Sequence, residues 1–288
     1  AITVDDNSGS CNASGYSLGT ATTSDNCGVA SVSSDDAGTY APGTHTITWT
    51  VTDEHGNTAT AEQNITVIDN QIPTITAPSD LSLTTNSGCT ATDVSTGTPT
   101  TADNCSVVSV SNDHSSNTYA LGANVVTWSV VDAAGNSAAS IQTITVSDNV
   151  NPTITAPSAI TANADSGSCN ATITSLGTPA TADNCSVTSI SNDHSSTTFP
   201  TGTTTVTWTV TDGNGNSATA TQTVTVNDNE NPSITAPADI TIAGWCNAVS
   251  LADAGVTLGT PTTADNCGVA TVTNDAPSTF LPGTTDVT

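Results

Sequence analysis

Three copies of one short motif fix the organisation of this chain. They are Asp69-Asn70-Gln71-Ile72-Pro73, Asp148-Asn149-Val150-Asn151-Pro152 and Asp228-Asn229-Glu230-Asn231-Pro232, spaced 79 and 80 residues apart. Each follows a run of alternating apolar residues (Ile65, Val67; Ile144, Val146; Val224, Val226) and precedes another (Ile75, Ile154, Ile234), so each reads as a junction between two β-domains. A linker built from a carboxylate, an amide and a proline is stiff and rich in oxygen, the donor that a hard cation takes. The period divides the 288 residues into four repeats, 1–68, 69–147, 148–227 and 228–288.

Within a repeat the strand pattern is clearest in the last third. Val206, Trp208 and Val210 alternate with threonines, and Val126, Trp128 and Val130 repeat the pattern, giving one core face and one hydroxyl-rich face. Nine residues before each tryptophan stands Tyr40, Tyr119 or Phe199, with a glycine turn between, as in a hairpin that brings two large side chains into one core. Phe280 keeps that place in the fourth repeat. A tight turn (His55-Gly56-Asn57, Ala134-Gly135-Asn136, Asn214-Gly215-Asn216) leads to the final strand. No stretch shows a 3.6-residue period, and about seven short strands in each repeat argue for an all-β chain of tandem immunoglobulin-like β-sandwich modules forming an extended rod. Repeat 1 is expected to lack the strand after the junction proline and repeat 4 its last strands, either because the parent chain continues or because a neighbouring molecule donates them.

The charge balance excludes several functions. All 26 charged residues are Asp or Glu, with no Lys or Arg, so the net charge is −26. Binding to nucleic acid or to an anionic membrane rests on Lys and Arg, and so do phosphate-clamping loops; none is expected here. Uncompensated carboxylates favour divalent cations, or are a solvated acidic surface. No apolar run is long enough to span a bilayer.

Eight cysteines fall one pair to a repeat: Cys11 with Cys27, Cys89 with Cys105 and Cys169 with Cys185, each 16 apart, and Cys246 with Cys267, 21 apart. The regularity predicts four disulfides within repeats and an oxidising compartment outside the cytoplasm. No Cys-x-x-Cys and no histidine at ligand spacing supports zinc. Trp245, beside the fourth pair, reads as a local packing variant.

Three oxygen-rich motifs recur: the junction Asp-Asn, the Asp-Asn-Cys triplet and Asp-x-x-Gly-Asn after the tryptophan strand. In a seven-strand sandwich these three places share one pole. Asp69, Asn70, Asp103, Asn104, Asp132 and Asn136 are therefore expected to converge at one joint, and Asp148, Asn149, Asp183, Asn184, Asp212 and Asn216 at the next. Asp228, Asn229, Asp265 and Asn266 carry the pattern on, and Asp25 and Asp53 are its counterparts in repeat 1. Calcium takes six to eight oxygens, so two or three carboxylates with carbonyls and water suffice; magnesium demands stricter octahedral geometry. Each motif taken singly could equally be only a turn.

The chain resembles the hyaline repeat (HYR) family. The matching residues are Gly167-Ser168-Cys169, Pro179 with Asp183-Asn184-Cys185, Pro200-Thr201-Gly202-Thr203, Val206 through Asn216, and the Asp-x-x-x-Pro junction. The family often has a second cysteine pair, one member in a Cys-Pro after the junction. Here Ala77-Pro78, Ala156-Pro157 and Ala236-Pro237 stand there, so that staple is absent. The junctions also resemble the calcium linkers of cadherins. These resemblances imply extracellular or cell-surface adhesion or a stalk, often in large bacterial secreted proteins, and no catalysis.

Enzyme readings are weak: Ser-Asn-Asp-His-Ser-Ser around His114 and His194 reads as a solvated turn, since neighbours in sequence rarely make a triad. The expected function is a structural, adhesin-like segment of a long extracellular fibre or stalk, with disulfide-stapled modules rigidified by calcium. Its partners would be further copies of the repeat, and surface glycans or cells. The alternatives are a glycan-binding array, which needs an exposed aromatic platform, and a non-catalytic spacer of a secreted enzyme.

Overall fold

The structure is a computed structural model that describes residues 1–243 and 246–288; Trp245 lies outside them. The described residues are all-β, in twenty-four short strands, as the alternating pattern predicts. None forms a helix long and apolar enough to cross a membrane. The chain divides into two compact units, Ala1–Asn149 and Val150–Thr288. The Asp69 junction is internal to the first unit and the Asp228 junction to the second.

In the first unit, Val107–Asn112, Gly122–Asp132, Ser137–Ser147 and Leu81–Thr84 form a four-stranded sheet in that order. The first three are antiparallel, whereas Leu81–Thr84 runs parallel to its neighbour with Leu81 opposite Ile144. Two small ladders close the other side of the core, Thr74–Thr76 with Thr100–Ala102 and Thr90–Ala91 with Tyr119–Ala120. The chain after the junction is thus shared between the two layers. It crosses at Ala77-Pro78, where proline cannot donate to a ladder. Gly97 makes room for that crossing: a Cβ there would lie 3.4 Å from the Pro78 ring, on a backbone already at φ +82°.

Residues 1–68 repeat the four-stranded sheet as Ile2–Asp5, Thr58–Ile68, Gly43–Asp53 and Val29–Ser34. In the second unit the equivalent sheet is Ile160–Asn163, Ser217–Asn227, Gly202–Asp212 and Val187–Asn192. Further along that unit, Ser233–Thr235 pairs with Thr262–Ala264, and Val249 bridges to Phe280.

Period-2 alternation puts Val126, Trp128 and Val130 inside, against Tyr119, Ile144 and Val146. The second unit repeats this with Val206, Trp208, Phe199, Val224 and Val226. One polar side chain is buried among them. Gln142 accepts a hydrogen bond from the Trp128 indole at 3.2 Å and donates to the Ser79 and Thr96 carbonyls at 2.8 and 3.1 Å. Gln222 does the same with Trp208, Ser158 and Leu176. Each glutamine ties the tryptophan strand to backbone carbonyls on two other segments, so none of these buried groups is left unsatisfied. The histidine turns are less solvated than expected: His114 stacks on Tyr119 at 4.3 Å and His194 on Phe199 at 4.0 Å.

The disulfides correct the sequence reading. Cys11 bonds to Cys105, 94 residues away, with the Cα atoms 4.5 Å apart, and Cys169 bonds to Cys267, 98 residues away, at 4.8 Å. Cys27 and Cys246 are free. None of the four expected pairs, Cys11–Cys27, Cys89–Cys105, Cys169–Cys185 or Cys246–Cys267, forms. The reason is the length of a strand. Cys27 lies at the Glu54 turn, where Glu54 N–H donates to the Gly28 carbonyl, whereas Cys11 lies at the junction, beside Gln71. The eleven-residue strand Thr58–Ile68 between those places is roughly 35 Å long. A repeat's two cysteines sit at opposite poles, and each bond described here crosses a junction instead.

Candidate metal centre at the Asp69 junction

Strand register brings the acidic residues of this junction together. Ile2–Asp5 runs parallel to Thr58–Ile68 with Asp5 opposite Ile68, so the next residues, Asp6 and Asp69, leave the sheet side by side. Asp6 N–H donates to the Ile68 carbonyl at 3.0 Å. Ala102 pairs with Thr74, just past the junction, which places Asp103 at the same end. Asp132 closes the tryptophan strand, and its hairpin turns back there through Gly135, whose φ of +96° is costly for any residue with a Cβ.

The carboxylates of Asp69, Asp103 and Asp132 offer oxygens within 4.8 Å of one another, and Asp6 lies equally close to Asp69. Asp6, Asp69 and Asp132 are 8%, 5% and 3% exposed. Some of their oxygens are held. Asp132 accepts the N–H groups of Gly135 and Asn136 at 2.7 and 2.8 Å and the Asn136 amide at 2.8 Å. Asp69 accepts the Gln71 N–H at 3.1 Å and Asp103 the Cys105 N–H at 2.9 Å. The Asn104 amide donates to Asp6 and to the Ser10 carbonyl. Four other oxygens are not held. Asp6 Oδ1, Asp69 Oδ2, Asp103 Oδ1 and Asn104 Oδ1 are buried with no hydrogen-bond partner among the described residues.

The electrostatics follow from this crowding. Burial pushes the Asp69 carboxyl above its ordinary range; the Gln71 N–H opposes that, and the charges of Asp6, Asp132 and Asp103 add to it. Burial also pushes Asp132 up, but the Asn136 side chain and the turn's N–H groups outweigh it and hold that carboxyl below the usual range. Three carboxylates thus crowd that of Asp69 in a chain that has no Lys or Arg to neutralise them.

The donor set is all oxygen: carboxylates and one amide carbonyl. Cys105 stands close by, but its sulfur is bonded to Cys11 and offers no thiolate. Unpartnered carboxylate oxygens buried close together suit a hard divalent cation, whereas burying them bare costs several kcal/mol each.

Of the six residues expected here, the structure brings together Asp69, Asp103, Asn104 and Asp132. Asn136 spends its amide on Asp132 and on the Asp69 carbonyl, so it orients the cluster. Asn70 is exposed, as are Asn149 and Asn229. Asp6 is the residue that sequence reading missed.

The other expected residues keep parts of the same geometry. Asp148, next to last in the first unit, accepts the Thr85 hydroxyl at 3.3 Å. In the second unit, Asp212 accepts the Asn214 and Asn216 N–H groups and the Asn216 amide, and Asp183 accepts the Cys185 N–H. The Asn266 amide joins Asp228 at 3.2 Å to the Ser168 carbonyl at 2.9 Å, and Asp265 Oδ1 and Asn266 Oδ1 are buried without a partner. In repeat 1, Asp25 and Asp53 line one depression with Asn57.

Comparison with protein families finds the HYR domain over residues 68–146 and again over 147–226. Comparison with curated proteins finds no match. Among solved structures, the chain is similar to Drosophila N-cadherin EC1-4, with 10% identity, a TM-score of 0.33 and coverage of 66% of this chain and 59% of that one. It is similar to the protocadherin gammaB4 extracellular domain at 17% identity and a TM-score of 0.30, covering 68% and 40%. Mouse cadherin-23 EC22-24 gives 17% identity and a TM-score of 0.31, covering 64% and 74%. The chain spans less than two thirds of the length of the first two.

Proposed function

The chain belongs to the HYR domain family, and from that premise we propose that it is a structural and adhesive segment of an extracellular fibre or cell-surface stalk, without catalytic activity, whose joints calcium makes rigid. The observation that carries the calcium part is the set of four buried, unpartnered oxygens at the Asp69 junction in a chain without a single Lys or Arg. A cation from outside would offset such charge without protonating the carboxylates. Asp6, Asp69, Asp103, Asn104 and Asp132 would hold it, and backbone carbonyls and water would complete a shell of six to eight oxygens. Calcium is favoured over magnesium because it accepts six to eight oxygens in flexible geometry, whereas magnesium demands a near-ideal octahedron and keeps more of its water.

An ion held there would tie Asp6 of repeat 1 and the junction's Asp69 to Asp103 and Asp132 of repeat 2. The Cys11–Cys105 bond already tethers the same two pieces, so the ion's work is to fix their angle. The glycan-binding alternative needs exposed aromatics in each repeat, yet Trp128, Trp208, Tyr119 and Phe199 are buried.

Thermal melting of the full chain with and without calcium tests this reading. An ion at 100 times its Kd stabilises by about 2.7 kcal/mol, so the melting temperature should rise with calcium and fall in EDTA. Identical melts in calcium and EDTA would contradict it.

A further inference from the structure

The Cys11–Cys105 disulfide stands against the candidate metal centre. The Cys105 sulfur lies 3.9 Å from Asp6 Oδ2, and within 4.8 Å of carboxylate oxygens of both Asp6 and Asp69. Asp6 Oδ1 and Asp69 Oδ2 are the buried, unpartnered atoms of those two side chains. Asp103 and Asn104, two more candidate ligands, immediately precede Cys105 in the chain. Cys105 N–H donates to Asp103 at 2.9 Å, and the Asn104 amide donates to Asp6 and to the carbonyl of Ser10, the residue before Cys11.

The other sulfur belongs to the loop that follows Asp6. Asn7 N–H donates to the Asn12 carbonyl at 2.9 Å and Ser10 N–H to the Asn7 carbonyl at 2.8 Å, which closes residues 7–12 into one small loop carrying Cys11. Each half of the disulfide is therefore tied to one half of the oxygen set: Cys11 to Asp6, and Cys105 to Asp103 and Asn104. Repeat 1 has one other cysteine, Cys27, and it is free, so this bond is the only covalent tie from repeat 1 to repeat 2 besides the backbone. Gln71 of the linker also holds the loop, through Gly9 N–H at 2.9 Å and the Asn7 carbonyl at 3.1 Å. Those hydrogen bonds are exposed, where water competes for both partners; the disulfide has no such competitor.

We propose that the Cys11–Cys105 disulfide is a redox switch for the calcium joint: closed, it holds the oxygens of Asp6, Asp69, Asp103 and Asn104 ready for the ion, and opened, it lets them part, so that affinity falls. This inference deepens the calcium reading and rests on it. By linkage the effect is mutual, and bound calcium makes the disulfide harder to reduce by the same factor. A coupling of about tenfold is expected. The reductant is a dithiol, the class to which dithiothreitol belongs. One of its thiolates attacks a disulfide sulfur, forming a mixed disulfide and expelling the other cysteine as a thiolate; its second thiolate then attacks its own sulfur in the mixed disulfide and expels the remaining cysteine. The two cysteines gain two electrons and the two protons that the dithiol loses, and the dithiol leaves as its cyclic disulfide.

The full chain is equilibrated with graded ratios of reduced to oxidised dithiothreitol, in saturating calcium or in EDTA, then alkylated, and the Cys11 and Cys105 peptides are followed by mass spectrometry. The midpoint for this pair should lie at more reducing conditions in calcium by about 30 mV, the equivalent of a tenfold coupling. In Asp6→Ala, at calcium that saturates the variant, the displacement should shrink, because the ligand beside the Cys11 loop is gone; a full displacement there would overturn the role given to Asp6. Calorimetry on the double variant Cys11→Ser, Cys105→Ser should show calcium bound about tenfold more weakly than by the oxidised chain. If that variant is unfolded in EDTA, the wild-type midpoints decide alone. Calcium bound by the oxidised chain with the same midpoint in calcium and EDTA would overturn this inference and leave the calcium reading standing. No calcium bound by the oxidised chain would overturn both.

Discussion

The Asp69 junction and the Asp228 junction are stitched alike and charged differently. Both carry a disulfide across the seam, Cys11–Cys105 in one and Cys169–Cys267 in the other. In both, the asparagine before the triplet cysteine donates to a serine carbonyl, Ser10 or Ser168, and leaves its own carbonyl buried and unpartnered. One residue differs in kind between them. At the first, Asp6 stands beside the buried Asp69. At the second, Ala164 holds the place of Asp6, its N–H on the Asn227 carbonyl as that of Asp6 is on Ile68. Both junctions thus share the covalent seam, whereas the carboxylate of Asp6 has an alanine as its counterpart at the Asp228 junction.

The largest expected effect tests the shared part. Cys11→Ser and Cys169→Ser each open a loop of nearly a hundred residues and should cost their own unit about 4 kcal/mol, read by hydrogen exchange, which follows each unit separately. Strongly unequal losses would break the likeness of the two seams. Next is calcium itself. Asp132→Asn should remove most of the calcium-dependent stabilisation of the first unit, about 2–3 kcal/mol at saturating ion, while Asp228→Asn changes the second unit far less. Smaller again is an exchange of the one unmatched residue. Asp6→Ala should weaken calcium binding by about tenfold, about 1.4 kcal/mol, and Ala164→Asp should strengthen it at the Asp228 junction by a similar factor, both by titration calorimetry. If Ala164→Asp leaves affinity unchanged, carboxylate count is not what separates the junctions.

The smallest effect is a control on pH. Asp113 and Asp193 are held below the usual carboxylate range by the backbone N–H and side chain of Thr127 and Thr207. A depressed carboxyl stabilises above the unfolded pKa and loses that contribution as pH falls through its folded value. Asp113→Asn and Asp193→Asn should therefore flatten the acid limb of the stability curve slightly and equally in the two units, with or without calcium. A calcium-dependent difference would mean that these turns feel the junctions.

The all-β fold was legible because alternation of valine and tryptophan with threonine leaves no other period, and the burial of Trp128, Trp208, Tyr119 and Phe199 followed from it. The gathering of Asp69, Asp103 and Asp132 was legible because chain entry and two loops share a pole in such a sandwich. Cysteine pairing was not. With one cysteine pair in every repeat of about 80 residues, spacing alone fits bonds within repeats or between them, and only strand length, which sends Cys11 and Cys27 to opposite poles, decides. Asp6 was hidden because its counterparts are Thr85 and Ala164, so a search by repetition passes over it; its one signal is its place directly after a strand that pairs with the strand before Asp69. Gln142 and Gln222 were hidden for the opposite reason: a polar residue in an inward register reads as an interruption until the Trp128 and Trp208 indoles are seen to need an acceptor.

The most direct measurement is electron density at the Asp69 junction in crystals of the full chain grown with calcium. The account predicts one strong peak with six to eight oxygens at about 2.3–2.6 Å, among them Asp6, Asp69, Asp103, Asn104 and Asp132. Density showing those oxygens solvated by water alone, with the carboxylates turned away from one another at saturating calcium, would contradict it.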